Sequence, residues 1–510
     1  MASSLDKNKV KKFRCATLDF NEAKEVSVES AFVRSLPGFS IVGMANQSIQ
    51  ESRDRIKSAL SSLDFKFPPQ KITISLSPSD LKKEGSHFDL GIALLIYFQK
   101  ERLIFDEYFI FGELGLDGSV RETTLIFPII LSLASKKKNL KLIVPNAIKD
   151  KILQIPNLNV FGVDTLQEAI GFLSLEPKQF CTHSSLQIAQ EICIKDQKYF
   201  YEKDFELDFI DVLAQTRLKR VLVVAAAGMH NILLEGSPGC GKSMSIKRLR
   251  YILPPMSVDE ILQSNAYSCM SGVDEQLSAK RAFRSPHHTS SKPSIFGGGS
   301  LKAIAGECAL AHNGVLFFDE FPHFSKTVLE SLREPLEDNQ VLISRVNSKV
   351  KYETKFLFAA AQNPCPCGNL LSKTKECRCS DLEIAKYKTR ISEPIMDRID
   401  IYFQMDEAQE NTQDNISSAV MFEQVLQAFV MQKERNQKEL NANLSEVDMQ
   451  KYCEMDKQAT DILQKAIARF GLSYRSVAKI QKLSRTIADI DKSCIIQKTH
   501  ILEALSYRQR

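Results

Sequence analysis

A glycine-rich segment near the middle of this 510-residue chain constrains its fold more than any other feature. The segment, GSPGCGKS at residues 236–243, fits the phosphate-binding pattern G-x-x-x-x-G-K-[ST]. Residues 231–235 before it (NILLE) are typical of a buried strand, and residues 244–251 after it are typical of the first turns of a helix. A strand, a glycine loop and a helix in this order predict a P-loop α/β core, because backbone N–H groups and a helix N-terminus attract phosphate.

The residues of this loop have separate expected roles in binding ATP and Mg²⁺. Lys242 is expected to reach the β- and γ-phosphates, and Ser243 to be a Mg²⁺ ligand. A glycine-rich turn that binds nothing is the alternative, which the flanking strand and helix disfavour. The predicted nucleotide-contacting residues are Gly236, Ser237, Pro238, Gly239, Cys240, Gly241, Lys242, Ser243 and Met244.

The charge and hydropathy of the chain leave most classes of soluble function open. The chain has 67 Lys and Arg against 62 Asp and Glu, a net charge of +5, so a nucleic-acid site must come from local clustering. No N-terminal segment has the pattern of an export signal, and no apolar run is long enough for a transmembrane helix. We therefore expect a cytoplasmic protein with reduced thiols and no membrane partner.

Two further apolar strands carry polar residues at their carboxyl ends. Residues 314–320 (GVLFFDE) end in two acids, as in a Walker B motif; Asp319 is expected to hold Mg²⁺ through water, and Glu320 to polarise the attacking water. Residues 355–361 form the next predicted strand, and Asn363 follows it, where an amide can lie beside the γ-phosphate. An apolar strand ending in two acids is common by itself, but after a P-loop it predicts an ATP-hydrolysing core.

A basic β-hairpin is predicted between these two strands. Residues 341–352 form two alternating runs, and Arg345, Lys349 and Lys351 lie near the tip. The residues allow either an exposed hairpin with ordinary solvated lysines or a basic finger that grips a phosphate backbone.

Four of the twelve cysteines form two close pairs. Four thiolates at this spacing can build a tetrahedral Zn²⁺ site, although C-x-C is less typical of zinc than C-x-x-C. A loop of reduced free thiols is the alternative. The candidate zinc ligands are Cys365, Cys367, Cys377 and Cys379.

Longer sequence blocks occur along the chain beyond these motifs. They include KEGSHFDLGIALL, GELGLDGSVRE, FRSPHHTSS, GECALAHNGVLFFDE, AAQNPCPCGN, RISEPIMDRID and LSYRSVAKIQKLSRTIADI. These blocks resemble one family, the YifB/ComM family of magnesium-chelatase-like AAA+ proteins. The resemblance implies an α/β fold with three parts: a Lon-protease-like N-terminal domain, a P-loop AAA+ core with a parallel sheet, and a C-terminal helical lid. We expect these domains at residues 1–165, 208–403 (with a cysteine-rich insert at 365–379) and 404–510, and a linker with one short helix at 166–207.

This resemblance also implies roles and partners. Asn363 corresponds to sensor 1, Arg475 to the sensor 2 arginine of the lid, and Arg398 to the arginine finger that reaches the next subunit's nucleotide, although Arg390 is a second candidate for the finger. The basic hairpin resembles a pore-facing presensor hairpin, and residues 297–300 (GGGS) resemble a second pore element. ComM members are described as DNA helicases that drive branch migration in natural transformation. The implied partners are therefore a homo-hexamer, single-stranded or branched DNA in its pore, and recombination proteins, with ATP, Mg²⁺ and Zn²⁺ as cofactors.

The chain departs from the family pattern at several positions. Ala305 replaces a proline before the Walker B strand, and Glu393 replaces a glycine in the arginine-finger block. In the first domain, the position of a Lon-type nucleophile falls near His87, with Ser86 one place away. A Ser–Lys catalytic dyad is therefore not apparent, and we expect this domain to have a structural or DNA-guiding role. The main alternative function is the ATPase subunit of a magnesium-chelatase-like complex that remodels a protein partner.

Overall fold

The computed structural model describes residues 11–19, 21–101, 105–174, 179–182, 190–213, 215–273, 276–298, 305–345, 348–405 and 416–508. These residues belong to two compact units. The first comprises Met1–Gln187 with Asn265–Leu277, and the second comprises Ile188–Ser264 with Ser278–Arg510.

The first unit is built on a seven-stranded mixed sheet in the order β3-β4-β2-β1-β5-β8-β9. Alternating burial along the β4 sequence KITISLS gives that strand one apolar face, as its sequence predicts. The helix α2 is buried along almost its whole length, because it carries apolar residues on every side. The elements of this unit are β1 Lys11–Asp19, β2 Glu22–Val33, β3 Gly38–Val42, α1 Gln47–Ser61, β4 Lys71–Ser77, α2 Asp89–Tyr97, β5 Phe105–Ile110, β6 Glu113–Leu114, β7 Val120–Arg121, α3 Ile126–Ala134, β8 Leu140–Pro145, α4 Asn146–Ile152, β9 Leu158–Val163 and α5 Leu166–Ser174.

Residues 166–207, predicted as a linker with one short helix, have more structure than their polar composition indicates. The helix α5 buries Leu166, Ala169, Phe172 and Leu173 within the first unit. Farther along, strands β10 (Gln190–Ile194) and β11 (Gln197–Tyr201) form an antiparallel pair in the second unit. The boundary between the two units falls inside the predicted linker because aromatic residues of β11 pack on a helix more than two hundred residues later, as Tyr199 does on Phe429.

The second unit contains the P-loop on a five-stranded parallel sheet in the order β14-β15-β18-β12-β19. The three central strands are buried throughout, which matches their apolar sequences and confirms the predicted parallel-sheet core. The elements up to the end of this sheet are α6 Thr216–Gly228, β12 Ile232–Glu235, α7 Lys242–Leu249, β13 Met256–Ser257, α8 Val258–Met270 (whose residues from Asn265 onward belong to the first unit), β14 Phe283–Arg284, α9 Lys292–Phe296, α10 Glu307–Leu310, β15 Val315–Phe318, α11 Lys326–Ser331, α12 Arg333–Asp338, β16 Gln340–Arg345, β17 Ser348–Glu353, β18 Leu357–Gln362, α13 Asp381–Lys388, α14 Glu393–Met396 and β19 Ile401–Gln404.

A helical region completes the second unit. Its longest helices, α15 and α18, pack against each other and against α6, and bury an apolar core that includes Val425, Leu483 and Ile487. A network of the buried residues Arg485 and Asp489 with the partly buried Arg435 lies beside this core. Among the helices described, none has the length and hydropathy needed to cross a membrane. The helices are α15 Ser418–Glu434, α16 Glu446–Tyr452, α17 Lys457–Phe470, α18 Tyr474–Ile490 and α19 Lys498–Ser506.

Candidate nucleotide-binding site

The P-loop runs from the carboxyl end of β12 to the first residue of α7. Gly239 and Gly241 have φ angles of +83° and +93°, a left-handed conformation that glycine adopts without a steric penalty. Lys242 is buried, and its Nζ donates to the carbonyl oxygens of Gly236 (2.6 Å) and Ser237 (2.9 Å). Burial lowers the pKa of Lys242, while the nearby groups of Cys240 and Asp319 act in the opposite direction. The ammonium group is thus held inside the concave face of the loop, where phosphate binds in P-loop proteins.

The two expected Mg²⁺ ligands are already in contact. The Ser243 hydroxyl donates to Oδ2 of Asp319 over 2.6 Å, although the two residues lie on different elements. A hydroxyl and a carboxylate are the hard oxygen donors that Mg²⁺ prefers, and Mg²⁺ also keeps several waters. The donor set therefore fits a magnesium ion, which would add positive charge beside the phosphates.

The expected sensor residue Asn363 joins this group from the end of β18. Its Oδ1 accepts a hydrogen bond of 3.2 Å from Nζ of Lys242. The register of the sheet explains the proximity, because β12 and β18 are parallel neighbours with Glu235 opposite Gln362. The P-loop, the Walker B acids and Asn363 thus meet at the carboxyl edge of the sheet, where ligands bind in open α/β folds.

Glu320 has an unusual backbone and two histidine neighbours. Its φ angle is 52°, and its N–H donates to Oδ1 of Asp319 over 3.0 Å. Nδ1 of His323 lies 3.4 Å and Nδ1 of His288 lies 3.5 Å from the same carboxylate oxygen of Glu320. Neither histidine was identified from the sequence as a site residue; the FRSPHHTSS block that carries His288 is the sequence feature that points to this region.

The two expected γ-phosphate arginines converge on one carboxylate. Arg475 donates to Oε1 of Glu337 over 2.5 Å, and Arg398 donates to Oε2 of the same residue. Burial, with the nearby positive charges of Arg475 and Arg333, lowers the pKa of Arg398. Glu337, at the end of α12, was not identified from the sequence. The other finger candidate, Arg390, is exposed beside Tyr387 and is not part of this cluster.

The four candidate zinc ligands lie together, with all their Sγ atoms within 4.8 Å of one another. Three of the Sγ–Sγ distances, 3.4, 3.6 and 3.7 Å, are close to the roughly 3.8 Å expected around a tetrahedral zinc with Zn–S bonds of about 2.3 Å. Backbone N–H groups of Asn369 and Arg378 lower the pKa of the Cys367 thiol, which favours the thiolate that binds metal. The geometry and the ligand chemistry therefore fit zinc.

This cysteine cluster packs against the P-loop. Gly368 has a φ angle of +80°, and a Cβ added there would lie 2.5 Å from Cγ of Pro238. Only a glycine allows the cysteine loop to approach Pro238 this closely. The shape of the cysteine loop and the position of the P-loop are therefore linked by direct contact.

The basic hairpin is present as β16 and β17, paired from Gln340 opposite Glu353 to Arg345 opposite Ser348. Lys351 is exposed on β17. The side chains of Arg345 and Lys349 lie outside the described residues, as do residues 346 and 347 of the tip and residues 299 and 300 of the second predicted pore element.

In the first unit, the position expected for a Lon-type nucleophile lies in the core. His87 is fully buried, and its Nε2 is 2.9 Å from the carbonyl oxygen of Ala16. Burial lowers the pKa of His87 to about 4, against the smaller effect of that hydrogen bond. The neighbouring Ser86 hydroxyl donates to the carboxylate of Glu113, a pairing that does not activate a serine as a lysine base would.

Comparison with known families gives three matches along the chain. The model described as "Magnesium chelatase, subunit ChlI" matches residues 208–413, and "Magnesium chelatase, subunit ChlI C-terminal" matches residues 415–508. The model described as "Subunit ChlI of Mg-chelatase" matches residues 28–148 of the first unit.

Individual proteins are similar over almost the whole chain. Competence protein ComM of Haemophilus influenzae is 35% identical over 499 residues, which cover 96% of this chain and 95% of that protein. The uncharacterized protein YifB of Escherichia coli is 35% identical over 498 residues, covering 95% and 94%. An uncharacterized protein of Mycobacterium tuberculosis is 30% identical over 496 residues, covering 95% of each chain.

Proposed function

This chain belongs to the YifB/ComM family of magnesium-chelatase-like AAA+ ATPases, and we propose that it works as a hexameric, ATP-dependent DNA motor. In this proposal it is a cytoplasmic helicase that promotes branch migration during DNA uptake and recombination in natural transformation. The observation that carries the motor assignment is the group of Lys242, Ser243, Asp319 and Asn363 at one edge of a parallel sheet. The DNA assignment is supported by the name of the Haemophilus relative and by the basic hairpin.

In the proposed hydrolysis step, each of these groups has one task. Lys242 would bind the β- and γ-phosphates, and Ser243 with Asp319 would hold a magnesium ion, which supplies positive charge beside the phosphates when bound. Glu320 polarises the attacking water, and Asn363 orients the γ-phosphate and that water. Preorganised charges of this kind lower the barrier because they need no rearrangement as the reaction proceeds.

The arginine cluster supports assembly into a ring. Arg398 and Arg475 point two guanidinium groups at a single carboxylate, that of Glu337. A γ-phosphate is a stronger anion that can take the place of this carboxylate. We assign Arg398, and with it Arg475, to the nucleotide held by the neighbouring subunit, so that hydrolysis requires the oligomer.

ATP hydrolysis by the purified full-length protein, with and without single-stranded and branched DNA, tests the proposal. The control is Lys242→Ala, which removes the phosphate-binding ammonium. We expect hydrolysis that DNA stimulates and that this variant loses. Lysine-dependent hydrolysis that no DNA changes would reject the DNA motor while keeping the ATPase.

A basic-hairpin variant separates DNA contact from hydrolysis. Lys351→Ala removes an exposed positive charge on β17, and Lys326→Ala removes one on α11, outside the hairpin, as a matched control. We expect the first variant alone to weaken DNA stimulation and to lower the salt dependence of DNA binding. Equal DNA responses in both variants would contradict a DNA-contacting role for the hairpin.

We also propose that the cysteine cluster holds one Zn²⁺ per chain. Elemental analysis of protein purified without added metal tests this, with Cys367→Ser as the variant and Cys494→Ser, an exposed cysteine elsewhere, as the control. We expect bound zinc in the wild type and the control and its loss from Cys367→Ser. Wild-type protein that is free of zinc and does not take it up would contradict the assignment.

The second candidate is an ATPase subunit of a chelatase-like complex that remodels a protein. The descriptions of the three matching family models favour it. It predicts Lys242-dependent hydrolysis that is indifferent to DNA and rises when a partner protein is added, so the ATPase assay above distinguishes the two.

A further inference from the structure

The carboxylate of Glu320 is contacted by imidazoles from two separate segments. His323 lies in the short turn Phe321–His323 directly after Glu320, whereas His288 lies in the loop between β14 and α9. Both present Nδ1 to the same oxygen, Oε2, at 3.4 and 3.5 Å. A loop more than thirty residues earlier in the chain therefore reaches the acid that the proposed mechanism uses.

The two imidazole rings are themselves held in place. The ring of His288 packs at a tilt against that of His287, with centroids 4.2 Å apart, and Nδ1 of His287 lies 2.7 Å from the Thr289 hydroxyl. On the other side, the ring of His323 meets Tyr387 of α13 edge to face, at 6.2 Å. Rings with such neighbours rotate less freely, so each keeps its Nδ1 beside the Glu320 carboxylate.

The Glu320 side chain needs a restraint to hold its carboxylate in one position. Its side chain is 55% exposed, and an exposed glutamate otherwise samples several rotamers. A carboxylate that must orient a water molecule works well only in a narrow range of positions. Two close polar contacts on one carboxylate oxygen restrict the side chain and leave the other oxygen available for water.

We propose that His288 and His323 are positioning residues that hold the Glu320 carboxylate for hydrolysis. This inference rests on the proposed role of Glu320 as the group that polarises the attacking water. The histidines contact Glu320, so they act on the reaction through it. Their effect belongs to the rate of the chemical step and not to nucleotide affinity.

The test is steady-state ATP hydrolysis by the full-length protein carrying His288→Ala or His323→Ala. We expect each variant to lower kcat about tenfold, the size expected for losing a polar contact that orients a catalytic group, with KM for ATP unchanged. His288→Asn should restore most of the rate, because its amide N–H₂ occupies about the position of the imidazole Nδ1. Ser285→Ala is the matched control: it removes an exposed hydroxyl from the same loop and leaves the His287–His288 ring contact and both contacts to Glu320 in place, so its kcat should stay within twofold of wild type.

A double-variant comparison shows whether the effect passes through Glu320. In a Glu320→Gln background, His288→Ala should cause no further loss of rate, because its target is already disabled. The proposal is overturned if His288→Ala and His323→Ala keep the wild-type kcat, if Ser285→Ala loses as much as His288→Ala, or if the losses multiply in the Glu320→Gln background. A wild-type protein without Lys242-dependent hydrolysis would instead refute the proposed function, so the two failures are distinguishable.

Discussion

Replacing Asp400 with asparagine is expected to destabilise the second unit by about 2 kcal/mol at neutral pH. The Asp400 carboxylate is only 13% exposed; it accepts from the N–H of Asn231 at 2.9 Å and lies 3.4 Å from Nζ of Lys479. Burial alone would raise the pKa of Asp400, but Lys479, His230 and the Asn231 N–H outweigh it and lower the pKa from 3.8 to about 2. A difference of nearly two between the unfolded and folded pKa corresponds to about 2.5 kcal/mol of stability.

The direction of the pKa shift determines how the stabilisation by Asp400 changes with pH. Because the folded pKa lies below the unfolded one, the stabilisation is fully present above about pH 5 and is lost as the pH falls through 4 toward 2. The stability difference between the wild type and Asp400→Asn should therefore be constant from pH 5 to 7. By about pH 3 it should be roughly half as large.

Urea unfolding followed by far-ultraviolet circular dichroism measures this difference at each pH. The matched control is Asp397→Asn, an exposed aspartate three residues earlier, which should change the free energy of unfolding by less than about 0.5 kcal/mol. A loss at pH 7 no larger than that of the control would refute the reasoning. So would a loss that does not shrink between pH 5 and pH 3, because the carboxylate would then contribute nothing through its charge.

Three further substitutions test other contacts of the second unit. Glu337→Gln removes the carboxylate shared by Arg398 and Arg475. Because these groups are partly exposed, we expect less than about 1 kcal/mol of destabilisation but a lower KM for ATP in the assembled protein. An unchanged KM would contradict competition between Glu337 and phosphate for the two arginines. Gly368→Ala should raise KM for ATP and destabilise the protein by more than about 1 kcal/mol, because the added Cβ would meet Pro238. Gly471→Ala is the control: it also lies at positive φ but has open space around it, so it should destabilise the protein without changing KM. Asp489→Asn leaves the buried Arg485 and the partly buried Arg435 short of a counter-charge, so a loss of about 3 kcal/mol in urea unfolding is expected. A loss below about 1 kcal/mol would show that the network is not needed for stability.

The parallel-sheet core could be predicted from the sequence because its signals are local. Each central strand is a short apolar run that ends in the polar residues of a known motif, and parallel strands bring those ends to one edge. The positions of Lys242, Asp319 and Asn363 follow from that rule alone. The contacts among them add detail that the motifs did not specify, such as the hydrogen bond between Lys242 and Asn363.

The remaining features depend on contacts between residues far apart in sequence, which periodicity does not reveal. The strands β10 and β11 fall within a polar stretch, and their place in the second unit depends on packing against α15, as Tyr199 does on Phe429. Glu337 is one acid among many on short helices, and only the folded chain shows that two arginines meet there. The approach of His288 to Glu320 is likewise visible only once β14 and β15 lie side by side.

The contacts of α18 link the arginine cluster to the core of the sheet. Arg475, Lys479 and Thr486 lie on one face of this helix, at spacings that correspond to whole turns. Along that face they contact Glu337, Asp400 and His230 respectively. Asp400 is two residues from Arg398, whose carbonyl oxygen accepts from the side chain of Asn231 at the start of β12. Because these contacts join α18, the Arg398 segment and the P-loop strand, Arg398 and Arg475 belong to one connected set of contacts within the second unit. In the proposed ring, the two arginines should therefore reach or leave a neighbouring phosphate as a pair.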